Sequence, residues 1–181
     1  GKIRRTGGDD PEVYLQLAPG ESSLLKTYHT KIKGKGYGYI QETGSPEMLK
    51  GKWKIDFLTG GPALPGSVET DTLMSWTEFD RDGVRDFSGT AEYTFILQKP
   101  EAMADGWVLD LGEVCESAVI LLNGREAGTL IMAPYRLVIP SGELDVVNTL
   151  KVRVSNLMAN RISYIDRQGT NWKKFYNANV P

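Results

Sequence analysis

An all-β sandwich of jelly-roll type is the fold this sequence predicts, and three observations predict it. Short segments alternate apolar and polar residues with period two, as half-buried strands do. Turns rich in Gly and Pro separate them at short intervals. Helical periodicity is almost wholly missing, so eight or more strands remain to be folded against one another.

The elements follow in order. Residues 1–10 are polar and Gly-rich and read as a frayed lead-in. Val13–Leu17 alternates, Pro19-Gly20 turns the chain, and Ser23–Tyr28 is a second short strand. This pair reads as the closing hairpin of a preceding domain or as an added edge to the sandwich. Residues 1–30 are therefore an N-terminal extension, residues 31–50 a linker or edge segment, and residues 51–181 the sandwich with its tail. Pro46–Leu49 makes at most a brief helical turn.

Trp53, Ile55 and Phe57 alternate with Lys52, Lys54 and Asp56, which gives a strand with one buried face. A long loop from Gly60 to Gly66 breaks it, and Leu73–Trp76 and a polar turn follow. Thr90, Glu92 and Thr94 then alternate with Ala91, Tyr93 and Phe95 in a strand over 87–98. Trp107, Leu109 and Leu111 alternate again. Ala118–Leu122 is apolar on both faces and belongs inside a sheet. Asn123-Gly124 is the strongest short-range hairpin signal a sequence carries, because both residues tolerate positive φ. Arg125–Ile131, Tyr135–Ile139 and Leu150–Val154 complete the strands. The tail, residues 156–181, is irregular, polar and aromatic. Its apolar content predicts that it docks on the sandwich, with Arg161 and Arg167 paired to acids.

Composition narrows the function. The 181 residues suffice for one domain, or one with an appendage. Hydrophobic residues make up 40% and charged residues 24%, the balance of an ordinary globular protein. A net charge of −2 supplies no basic field for nucleic acid or an acidic membrane surface. The local run Lys31–Lys35 reads as a solvated strand edge. No apolar run approaches the roughly 18 residues that span a bilayer. The chain opens on Gly1 and reads as a piece cut from a longer protein, so missing targeting signals say little about where the parent resides.

Catalytic constellations are scarce. The single histidine, His29, fits no Ser-His-acid order, and no Cys/His metal cluster exists. Cys115 is the only cysteine; it sits among acidic residues and has no histidine beside it in sequence, which is not the setting of a catalytic thiol. Gly34–Gly38 lacks the strand and helix of a nucleotide loop. Asp80–Gly83 carries part of a calcium-loop pattern but reads as a hairpin turn. No pair of acids stands out for glycosidic cleavage. No cofactor and no metal are expected.

Binding is the better prospect, because sugars stack on aromatic faces beside a few fixed polar groups. Trp53 and Trp107 are in phase with buried positions and read as core. Trp76 and Trp172 serve equally as core caps or as ligand platforms. The candidate carbohydrate-binding residues are Trp76, Arg81, Asn123, Tyr135, Arg161 and Trp172. The Phe87–Thr90 lead-in reads as structural, with Gly89 permitting a bulge or close approach and the Ser88 and Thr90 hydroxyls satisfying loop backbone.

The stretch from Trp107 to Pro140, "WVLDLGEVCESAVILLNGREAGTLIMAPYRLVIP", followed by "NTLKVRVSN", resembles the galactose-binding-like jelly-roll domain of glycoside hydrolases such as family 2. More particularly, "GKWKIDF", "LMSWTEFDRDGVRDFSGTAEYTF" and "NLMANRISYIDRQGTNWKKFYN" resemble the C-terminal region of family 106 α-L-rhamnosidases. "VYLQLAPGESSLL" resembles the end of that family's preceding β-domain. The resemblance implies a non-catalytic ancillary domain of a periplasmic or extracellular enzyme. Its catalytic barrel, elsewhere in the parent chain, is then the partner, and carbohydrate a further one. An autonomous carbohydrate-binding module and a purely structural interaction domain are the alternatives.

Overall fold

In a computed structural model of the protein, the described residues are 3–5, 11–17, 21–30, 32–34 and 38–172. The chain divides into two compact units, Gly1–Met48 and Leu49–Pro181.

In the first unit β1 (Ile3–Arg5) pairs antiparallel with β2 (Pro11–Val13). Only the start of the expected Val13–Leu17 strand forms, since β2 ends at Val13. Beyond it the pairing passes to side chains. The Gln16 amide donates to the Ile40 carbonyl and accepts from the Ile40 N–H, each at 2.6 Å. Tyr14 and Tyr39 stack with ring centroids 5.7 Å apart. The expected Ser23–Tyr28 strand is absent, and Leu24 is fully exposed. Strand propensity reflects fit to a half-buried pleated surface, and this segment has no such surface within its unit.

The second unit is an all-β sandwich. Six antiparallel strands form its main sheet in the order β4-β3-β5-β10-β7-β8. These are β3 (Trp53–Gly61), β4 (Val68–Thr70), β5 (Ser88–Gln98), β7 (Ser117–Leu122), β8 (Arg125–Leu130) and β10 (Val147–Ser155). The facing layer is uneven. Over one half lie β6 (Gly106–Asp110) and β9 (Arg136–Pro140), paired antiparallel. Over the other half the chain from Trp76 to Phe87 folds under β3 and β5 without strands, led by a 3-10 turn at Trp76–Glu78.

Period-two alternation places the core. Ile55, Phe57, Ala91 and Phe95 point inward, as do Ala118, Ile120, Leu150 and Val152. Trp53 stacks on Phe95 at 4.6 Å between centroids. Trp107, expected in the core, is half-buried and packs beside Leu122, Ile139 and Leu144. Asn123 (φ 51°) and Gly124 (φ 80°) form the β7–β8 turn, as the hairpin rule requires.

Two features depart from the expected layout. Just past the loop expected over Gly60–Gly66, Val68–Thr70 forms a strand the sequence reading did not name, β4, which pairs with Trp53–Ile55. The irregular tail contains a helix, α1 (Ala159–Arg167). A nine-residue helix is too short to hold itself in water and forms here on tertiary support.

Candidate functional site

The Phe87–Thr90 lead-in is a junction. Leu58 is a bulge residue, inserted where the β3–β5 register shifts between Phe57 and Thr59. Gly60 then lies opposite Gly89. A Cβ on Gly89 would fall 2.0 Å from the Thr59 carbonyl oxygen and 2.6 Å from the Gly60 Cα. A Cβ on Gly60 would meet the Ser88 carbonyl oxygen at 2.3 Å. The strands come so close that neither position can carry a side chain.

The C-terminal segment clasps this junction. The Gly89 N–H donates to Asn156 Oδ1 at 2.8 Å, and the Phe87 carbonyl accepts from both Asn156 Nδ2 and Asn160 Nδ2 at 3.2 Å. The Arg161 N–H, a helix-start donor without an intrahelical partner, donates to Ser88 Oγ at 3.0 Å. Thr90 and Ser155 share a hydroxyl hydrogen bond of 2.7 Å. Arg167 pairs with Asp86, as expected for that arginine. Arg161 does not follow the same expectation. Its guanidinium sits 5.1 Å over the Tyr164 ring, and its buried Nη1 has no hydrogen-bond partner. It forms no ion pair among the described residues, and the helix backbone instead of the charge makes the junction contact.

The six candidate residues do not converge. Trp76 is buried, edge-on to Phe57, with its Nε1–H donated to the Tyr93 hydroxyl. Burial raises the Tyr93 pKa, against the lowering effect of that hydrogen bond. Tyr135 is buried and donates its hydroxyl to the Glu116 carbonyl at 2.7 Å. Asn123 lies at the opposite end of β7 from that contact. It accepts from the Thr149 N–H at 2.8 Å and donates to Asn148 Oδ1 at 2.9 Å, so its amide is used in locking the hairpin turn. Trp172 is exposed and donates to Asp166 Oδ1 at 3.1 Å.

Arg81 lines an open polar depression of about 440 Å³ on the segment Thr77–Asp86. Its charged lining consists of Glu78, Asp80, Arg81, Asp82, Arg85 and Asp86, and no tryptophan or tyrosine faces it. Asp80–Gly83 is not the turn of a hairpin; it lies in successive turns that lead into β5, with Gly83 at φ 79°. Among the described residues no three His, Cys, Asp or Glu gather as a metal site.

Sequence reasoning missed one charged cluster. Glu92 points to the outer face of the sheet, yet it is only 6% exposed. Lys151 Nζ at 2.5 Å and Arg153 Nε at 2.7 Å cover it. Burial works to raise its pKa, but the hydrogen bonds and charges of Lys151 and Arg153 outweigh burial and hold it below its ordinary value. The outward phase of all three residues was legible; their convergence depends on the β5–β10 register.

Fold and site together define a β-sandwich module whose aromatic and amide side chains serve mainly its own packing. Comparisons place it among larger proteins. No family model matches the chain. It is 33% identical, over 84% of its length, to a protein of Formosa agariphila described as a "Putative beta-glucuronidase". The solved structure of a rhamnosidase from Novosphingobium sp. PP1Y matches 74% of the chain at 32% identity and a TM-score of 0.58. The chain spans 14% of the first protein and 13% of the second, so it corresponds to a small part of larger glycoside hydrolases.

Proposed function

We propose that this chain is a non-catalytic ancillary domain of a larger glycoside hydrolase, a galactose-binding-like jelly roll of the family 106 α-L-rhamnosidase kind, whose role is to support the catalytic domain. One observation carries the structural role over sugar binding. Of the aromatic candidates, Trp76 and Tyr135 are sealed in the interior, and Trp172 is the one left exposed. A stacking platform needs an open ring with polar groups around it. The polar candidate nearest to fixed geometry, Asn123, lies at the far end of the sandwich and is engaged in the hairpin lock. The matches to small parts of two glycoside hydrolases support a place within such an enzyme. A periplasmic or extracellular location belongs to the same reading and rests on the family resemblance.

Calorimetric titration of the chain with rhamnose-bearing and glucuronic-acid-bearing oligosaccharides tests it. Flat heats at millimolar sugar are expected. Saturable binding lost on Trp172→Ala would replace the structural role with that of a carbohydrate-binding module.

A further inference from the structure

We propose that Asn123 is a site of spontaneous covalent modification, deamidation through the Gly124 backbone nitrogen, that the hydrogen bonds of the β7–β8 turn hold this reaction off in the folded protein, and that conversion undoes the turn's lock. The proposal stands apart from the role given to the module above.

Asparagine followed by glycine is a reactive pairing, because glycine has no side chain to shield its own backbone nitrogen. That nitrogen attacks Cγ of Asn123, the Cγ–Nδ2 bond breaks, and ammonia leaves. The product is a cyclic succinimide that joins the side chain to the main chain. Water then adds to one of the two ring carbonyl carbons and opens the ring. One opening gives aspartate; the other gives isoaspartate, whose main chain runs through the former side chain. One water is consumed and one ammonia released, with no oxidant involved. Asn123 is the one asparagine in the sequence that precedes a glycine. Asn148, Asn156 and Asn160 precede Thr149, Leu157 and Arg161, whose side chains crowd the attacking nitrogen.

Asn123 and Gly124 are both exposed, so water reaches the pair and burial does not protect it. Hydrogen bonds do. Asn123 Oδ1 accepts from the Thr149 N–H at 2.8 Å, while the Asn123 N–H donates to the Thr149 carbonyl at 2.9 Å. Its Nδ2 donates to Asn148 Oδ1 at 2.9 Å and to Asp145 Oδ2 at 3.3 Å. Attack turns the planar Cγ tetrahedral and releases Nδ2, and both steps break these bonds. The same bonds make the product costly. In aspartate an oxygen replaces Nδ2 and faces two acceptors, Asn148 Oδ1 and the Asp145 carboxylate. Isoaspartate also lengthens the main chain of a two-residue turn, and turn length sets the strand register.

Peptide mapping by mass spectrometry follows the conversion in the folded 181-residue chain and in the same chain unfolded in urea, both held in warm, mildly alkaline buffer. Asn123 should convert at least about tenfold faster when unfolded, because no local opening is then required. Equal rates in the two states, or no conversion in urea, would overturn the proposal. In the unfolded chain Asn148 and Asn156 should lag behind Asn123; equal rates at all three would remove Gly124 from the explanation. Asp145→Ala tests the lock itself. It takes an acceptor from Nδ2 and keeps the backbone bonds of residue 145 to Asn148. The variant, shown to be folded by circular dichroism, should convert several-fold faster than wild type. A wild-type rate would show that the lock gives no protection. Asn123→Asp stands in for the product and should melt roughly 5 °C or more below wild type. A variant that melts like wild type would show that conversion leaves the turn intact, and would overturn that part of the proposal.

Discussion

Asn156 and Gly89 hold each other by two reciprocal hydrogen bonds: Gly89 N–H to Asn156 Oδ1 at 2.8 Å, and Asn156 N–H to the Gly89 carbonyl at 3.1 Å. The same Asn156 amide also donates to the Phe87 carbonyl at 3.2 Å. One side chain thus extends the strand ladder past the end of β10 and ties the start of β5 to the segment that leads into α1.

Asn156→Ala removes an acceptor and a donor from partly buried backbone groups. Leaving such groups unpaired costs about 1–3 kcal/mol each. A fall in melting temperature of roughly 5 °C or more is expected, measured by circular dichroism. Asn156→Asp keeps the acceptor for Gly89 and should fall between the two. An alanine variant that melts like wild type would show that the clasp contributes nothing.

Gly89→Ala and Gly60→Ala each place a methyl where backbone already stands, 2.0 Å from the Thr59 carbonyl oxygen and 2.3 Å from the Ser88 carbonyl oxygen respectively. Backbone cannot move aside as a flexible side chain can, so both variants should express as insoluble protein or lose roughly 4 kcal/mol or more. Gly66→Ala, where nothing lies within 4 Å, is the control and should be neutral. Denaturant midpoints compare the three.

Deletion of residues 157–181 removes α1, the Arg167–Asp86 pair and the Arg161 N–H bond to Ser88. The truncated chain should melt roughly 10 °C lower or fail to express in soluble form. An unchanged melting temperature would make the tail a passenger.

Glu92 sets a pH dependence whose sign follows from its lowered pKa. A carboxylate held below its ordinary value contributes stability that is present above that value, 4.5 for Glu, and is lost as the pH falls through the folded pKa. Asp56, lowered by hydrogen bonds from Ser67 and Lys54, acts in the same direction. Asp110, lowered by the Gly112 N–H and, against burial, by Arg136, does so too. The difference between wild type and Glu92→Gln isolates the one group. The variant should be less stable at pH 7, and the gap should close as the pH falls below 4.5 and on through the folded pKa. A gap that stays constant with pH would remove the charge from the explanation.

What the sequence by itself determined is local. Trp53, Ile55 and Phe57 announce an inward face because successive strand side chains point to opposite sides. Asn123-Gly124 announces a turn because few other pairs adopt two positive φ angles. The Arg167–Asp86 pair was half legible, in that the arginine called for an acid but named none. Tertiary structure decided everything that needed two distant segments to meet. Trp76 could have capped a loop or faced a ligand, and it became core because the chain up to Phe87 folded beneath β3. Gly89 owes its identity to Gly60 across the ladder, and Glu92 owes its charge to cations 59 and 61 residues away. Helix α1 carried little signal of its own, because nine residues gain too few hydrogen bonds to offset their ordering. It exists where the Ser88 hydroxyl and the Phe87 carbonyl receive its first turn, and no window of sequence contains both partners.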